Sequence, residues 1–198
     1  MRKGASAPFC IWTPARHSFS LPHQTSSYLA VSAHILPDPL PAGLPVVLDT
    51  NTVLALWMFE DPRLPCLRSA VESGHLRPFT RQDCLDELQR VLAYAQFGQP
   101  PERQAALAAT YATRCARIEP VAELEVVLPA CLDRDDQKFL ETARDAPARL
   151  LVTRDKLLLK LARRAVIAAR FAILTPERVE ALLARQGMAP SPAPQSLT

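Results

Sequence analysis

From Val46 onward the chain alternates short apolar runs with stretches in which apolar residues recur every three or four positions. The run VVLD (46–49) reads as a buried parallel strand, and RLLVT (149–153) and FAILT (171–175) read as two more. LRPF (76–79) is a weaker candidate because Pro78 lacks an N–H for the ladder. Helical periodicity covers 51–59, then 64–74 with a stop at Gly74, then 81–95 behind a capping Thr80. It resumes at 102–118 behind Pro101, from the aspartates at 133–136 through Ala143, and over 156–170. A closing helix runs from Pro176 to Arg185. LEVVL (124–128) reads as a short extended segment. Strands alternating with helices predict an α/β fold, with a mainly parallel central sheet covered by helices on both faces.

The ends break this pattern. Residues 1–45 hold seven of the 19 prolines, three of the four histidines and a single acid, Asp38. They show no sustained periodicity and are expected to form a disordered or loosely attached extension. The folded domain is expected over 46–187, and the Pro/Ser/Ala-rich residues 188–198 as a flexible tail. No apolar run approaches the roughly 18 to 20 residues that span a bilayer, so no membrane association is expected. The five cysteines, at 10, 66, 84, 115 and 131, contain no CxxC pair. That argues against a disulfide framework or structural zinc and for reduced thiols in the cytoplasm. The net charge of +3 does not by itself announce a nucleic-acid partner. Its distribution says more: Lys156, Lys160, Arg163, Arg164 and Arg170 fall in one stretch without an acid. That stretch is either a solvated helix face or a surface for phosphates.

Some carboxylates stand where an acid needs a reason. Asp49 closes the first strand, and Asp155 follows the strand at 149–153 by two residues. Each can cap the helix that follows, yet together they put two carboxylates on the rim where α/β sheets bind ligands. In helix 81–95, Asp86 projects away from the apolar stripe, whereas Glu87 lies at its edge beside Cys84 and Val91. Helical phase alone leaves a solvated reading open for Glu87. In CLDRDDQKFLETA (131–143), Asp133 can cap the helix by accepting the N–H of Asp135 or Asp136. Asp136 then shares the face of Phe139, Leu140 and Ala143, where an unpartnered carboxylate is costly. Asp135 is rotated toward solvent. If Asp49, Glu87, Asp136 and Asp155 converge, their repulsion calls for a raised pKa or a cation. Carboxylate oxygens favour the hard ions Mg²⁺ or Mn²⁺. His75 is the one histidine after residue 45, and the chain has five glycines. Histidine-assisted nucleophiles and Gly-rich phosphate loops are therefore excluded.

VVLDTN (46–51), LDELQRVL (85–92), DRDDQKFLETA (133–143) and LLVTRDKLLL (150–159), in that order and spacing, resemble the PIN domain family. The nearest branch is the VapC-like toxin components of toxin–antitoxin systems. The resemblance covers roughly residues 46 to 185. It implies a three-layer PIN-like α/β sandwich and a Mg²⁺- or Mn²⁺-dependent endoribonuclease acting on RNA. By position, Asp49, Glu87, Asp136 and Asp155 would be the catalytic and metal-binding acids. Asn51, Thr153 and Asp133 would support them, and Arg154, Lys156 and Lys160 would contact RNA. A protein antitoxin and a homodimer are the implied partners. The other reading of such a chain is a catalytically inactive PIN-like module that binds RNA or protein. Relatives usually carry glycine where this chain has Arg154, so that side chain either approaches a substrate phosphate or intrudes on the metal site.

Overall fold

The structure is a computed structural model that describes residues 36–121 and 127–189. Five strands form one parallel sheet: β1 (Leu44–Leu48), β2 (Leu76–Thr80), β3 (Ala116–Arg117), β4 (Leu150–Val152) and β5 (Ala172–Leu174). Their order is β3-β2-β1-β4-β5, and the most buried strands, β1 and β4, lie inside. The helices are α1 (Thr50–Val53), which runs on as a π-helical turn over Leu54–Met58, then α2 (Pro65–Glu72), α3 (Gln82–Leu92), α4 (Pro101–Arg114), α5 (Gln137–Asp145), α6 (Lys156–Leu161), α7 (Ala165–Ala168) and α8 (Pro176–Arg185). A 3₁₀ turn spans Ala95–Phe97.

Strand alternation divides the interior into two cores. Val46 and Leu48 of β1, with Leu150 and Val152 of β4, pack on one face against Leu67, Ala70, Leu88, Val179 and Leu183. Val47, Leu151 and Ile173 pack on the other against Phe139, Leu140, Leu158, Ile167 and Phe171. With helices over both, the result is the three-layer α/β sandwich expected from the alternation. Gly74 ends α2 at φ 76°, a backbone that a residue with a Cβ adopts only under strain. Pro78 is tolerated because β3 pairs only with Phe79 and Thr80.

Several expectations need correction. Helix 102–118 stops at Arg114; Cys115 turns extended, and Ala116–Arg117 pair with β2 as a fifth strand. A two-residue strand has no period for a sequence reading to detect. Residues 156–170 form two helices instead of one, because Arg164 is extended (ψ 127°). The break lets Ile167 and Phe171 bury in the same core as Leu158. Thr80 belongs to β2 and does not cap α3; its Oγ1 donates to the Arg81 carbonyl. Helix α5 opens at Gln137, three residues later than the aspartate run suggested. Leu40 and Leu44, inside the stretch expected to be loose, are buried in the core, so the folded body begins before Val46. Met188, assigned to the tail, packs against that core. Residues 1–35, 122–126 and 190–198 lie outside the described residues, and with them most of LEVVL and of both tails. Among the described residues no helix is long and apolar enough to cross a membrane, and Cys66, Cys84, Cys115 and Cys131 are free thiols.

Candidate metal centre on the carboxyl rim

The central pair of strands builds the site. β1 and β4 run parallel with Leu48 opposite Val152, so the next residues, Asp49 and Thr153, leave the sheet side by side. Both are buried. The Thr153 hydroxyl donates to Asp49 Oδ2 at 2.5 Å and accepts the Asp155 N–H at 2.9 Å. The Thr52 N–H donates to Asp49 Oδ1 at 2.6 Å, and the Thr52 hydroxyl donates to the Val152 carbonyl at 3.1 Å. Asp155 Oδ1 accepts the Leu157 and Leu158 N–H groups at 2.7 and 2.8 Å, which caps α6. One threonine therefore links both strand-end aspartates. Each aspartate is also a helix cap, so capping and rim placement coexist. Burial pushes the Asp49 carboxyl upward, against the hydrogen bonds from Thr153 and Thr52.

Asp136 immediately precedes α5, is half-buried, and makes no cap bond with its side chain. Burial first, then the charges of Asp155, Asp133, Glu87 and Asp49, raise its carboxyl to about 6. Asp136 therefore lies within reach of the fields of the other three predicted acids and of Asp133. Asp133 is exposed and accepts the Asp135 N–H at 2.9 Å, in a turn ahead of the helix. Glu87 comes from α3 and pairs with Lys138 of α5; these side chains are 13% and 15% exposed. Lys138 also reaches the Asp135 carbonyl at 2.5 Å. The sequence reading missed Lys138. Its one signal was a lysine two positions after an inward-facing aspartate.

Among the described residues no three His, Cys, Asp or Glu side chains are already drawn together enough to ligate one ion. The reasons are visible: Glu87 is turned to Lys138, and one oxygen of Asp155 is engaged by α6. The donor set nevertheless fits Mg²⁺ or Mn²⁺. It is all carboxylate, it is partly buried, and it carries a repulsion that a divalent cation would relieve.

The Arg154 guanidinium is paired with two acids outside the four. Its Nε donates to Glu177 at 2.8 Å and its Nη2 to Asp61 at 3.0 Å. Hydrogen bonds from Arg63 and Arg154 hold Asp61 well below the usual carboxylate range. The Arg154 charge is thus largely answered within the fold. Lys156 and Lys160 are exposed and make no ion pair among the described residues. Asn51 is exposed and lines a cavity of about 440 Å³ with Asp155, Arg154, Phe59 and Phe97.

A family model described as PIN domain matches residues 45–157, more than half of the chain, and the matched span contains all four acids. The chain belongs to the PIN domain family. PIN domains are generally nucleases and generally use divalent metal ions. Among solved structures, the crystal structure of PAE2754 from Pyrobaculum aerophilum aligns at 16% identity and a TM-score of 0.46, over 73% of this chain and 92% of that one. Comparison with curated proteins gives no match.

Asp136 makes the metal-free stability of this PIN domain depend on pH. A carboxyl whose folded pKa lies above its unfolded value binds its proton more tightly in the folded state. Its contribution therefore favours folding at acid pH and is lost as pH rises from about 4, its unfolded value, through about 6. In a chelator, the melting temperature is expected to fall across that window. Asp136→Asn should flatten the fall and raise the melting temperature at pH 7. A variant no more stable than the native chain at pH 7 would contradict the repulsion.

Proposed function

We propose that this PIN domain is a metal-dependent endoribonuclease of the VapC-like kind, the toxin of a type II toxin–antitoxin pair. The observation that supports the reading is that Thr153 joins Asp49 to the Asp155 backbone at the carboxyl ends of β1 and β4, while Asp136 sits in the fields of Asp155, Glu87 and Asp49. Asp49, Glu87 and Asp136 hold the principal Mg²⁺ or Mn²⁺, and Asp155 completes the site or holds a second ion. When bound, such an ion would supply positive charge to a phosphodiester oxygen and would acidify a water for attack at neutral pH. Thr153 fixes the orientation of Asp49, and Asn51 and Asp133 flank the acids. Lys156 and Lys160 hold the RNA backbone, with Arg154 in a lesser part because its charge is already paired. An antitoxin acts by covering the acidic rim, and the domain works as a homodimer in the cytoplasm.

Incubation of single-stranded or structured RNA with the full chain and Mn²⁺ tests the reading. Cleavage is expected to leave 5′-phosphate and 3′-hydroxyl ends and to stop on chelation. Cleavage that persists in excess chelator, or leaves 2′,3′-cyclic ends, would be inconsistent with it. The Glu87–Lys138 ion pair favours a second reading, a non-catalytic RNA- or protein-binding module, because a lysine already supplies charge at one of the four acids. Calorimetry separates the two. Heat of Mn²⁺ binding below millimolar metal supports the enzyme, and none at millimolar metal supports the module.

A further inference from the structure

The fold places two rings of an aromatic cluster in one cavity with Asp155. Phe59, at the end of the π-helical turn, is 59% exposed, and Tyr94 is 46% exposed. Phe59 meets Phe97 edge-on at 5.8 Å, and Phe97 stacks on Tyr94 at 6.4 Å with 20° between the rings. The chain has only seven phenylalanines, three tyrosines and two tryptophans. Three of these twelve rings gather in one cluster, and two of them face water. Leaving Phe59 in solvent forgoes burial that a buried phenylalanine would gain. A cluster of this kind marks an interaction surface.

What it binds follows from its neighbours. The 440 Å³ cavity that Phe59 and Phe97 line is also lined by Asn51, Asp155 and Arg154. It is thus continuous with the carboxylate rim and mixed in polarity, unlike a groove built for an apolar helix. The Arg154 guanidinium is pinned by Asp61 and Glu177, so it offers a fixed planar face more than a free charge. Exposed rings and guanidinium planes are the groups on which unpaired bases stack. In α6, which Asp155 caps, Lys156 and Lys160 are exposed and make no ion pair among the described residues.

We propose that the Phe59–Phe97–Tyr94 cluster, with Arg154 as its polar wall, is a stacking subsite for an unpaired nucleobase next to the phosphate held at the acids. The proposal rests on the nuclease reading and adds a strand path to it. The backbone lies on the α6 lysines, the scissile phosphate sits at the rim, and the adjoining base lies on Phe59. Because every base has a flat face, the subsite selects single-stranded over paired RNA more than it selects sequence.

The test is fluorescence anisotropy with a labelled single-stranded RNA, using the full chain carrying Asp49→Asn so that the probe survives. Phe59→Ala on this background is expected to weaken binding about tenfold, and Phe59→Trp to restore it. The same RNA with abasic sites should not distinguish Phe59 from Ala. The salt slope should stay unchanged in Phe59→Ala and fall in Lys160→Gln. The exposure of Phe59 makes an unaltered melting temperature the expected folding control. If Phe59→Ala binds as tightly as its parent while the native chain cleaves RNA, the subsite is overturned and the nuclease reading stands; a protein partner then becomes the occupant to seek. If the native chain neither cleaves nor binds RNA, both fall together.

Discussion

Asp49→Asn is expected to lower RNA cleavage on the order of 10³-fold while the fold stays intact. Asp49 is the most buried of the four acids, and Thr52 and Thr153 each donate to one of its carboxylate oxygens. Asparagine keeps the oxygen that accepts the Thr52 N–H and presents an amide to the Thr153 hydroxyl. It removes the charge that a divalent ion requires. Because burial already opposes that charge, the metal-free variant should melt no lower than the native chain. Its response to metal should differ. If the site binds metal as proposed, the native chain should gain about 2.7 kcal/mol at an ion concentration of 100 Kd, and the variant little. Scanning calorimetry with and without Mn²⁺, beside a cleavage assay, reads both effects. Undiminished cleavage by Asp49→Asn would sink the proposed site.

Phe139→Ala is the substitution with the largest expected cost in stability, about 3–5 kcal/mol of a total that for such domains is about 5–15. Phe139 is 2% exposed and packs with Leu140, Leu151 and Phe171 under the sheet. It also anchors the first turn of α5, which carries Lys138 and follows Asp136 directly. The cavity should therefore loosen the acids as well, so activity should fall below what the folded fraction explains. Val166→Ala, at a side chain 40% exposed, is the matched control and should stay within about 0.5 kcal/mol. Urea denaturation compares the two, and equal midpoints would refute the packing account.

The carboxylate rim was legible because it combines two local patterns. Asp49 and Asp155 each follow an apolar run, and a carboxylate at the end of a buried strand stands out against its neighbours. Asp136 was legible through helical phase with Phe139 and Leu140, although the helix opens only at Gln137. The Glu87–Lys138 pair was not. It joins α3 to α5 across the fold, and nothing within either helix marks it. Arg154 shows the same limit. As a departure from the family pattern it pointed toward the acids, yet Asp61 and Glu177, 93 and 23 positions away, take its charge.

From the sequence alone come the α/β alternation, the parallel sheet, the two-sided burial of β1 and β4, and the four acids worth singling out. These depend on periods of two and 3.6 residues, which any short window displays. The tertiary structure alone decides that Asp49 and Thr153 stand side by side, that Glu87 meets a lysine, and that Phe59, Phe97 and Tyr94 form one surface beside Asp155. It also makes a strand of Ala116–Arg117. Each of these depends on strand register or on packing between distant segments. Such contacts are set by which surfaces bury best together, and no stretch of chain carries that information by itself.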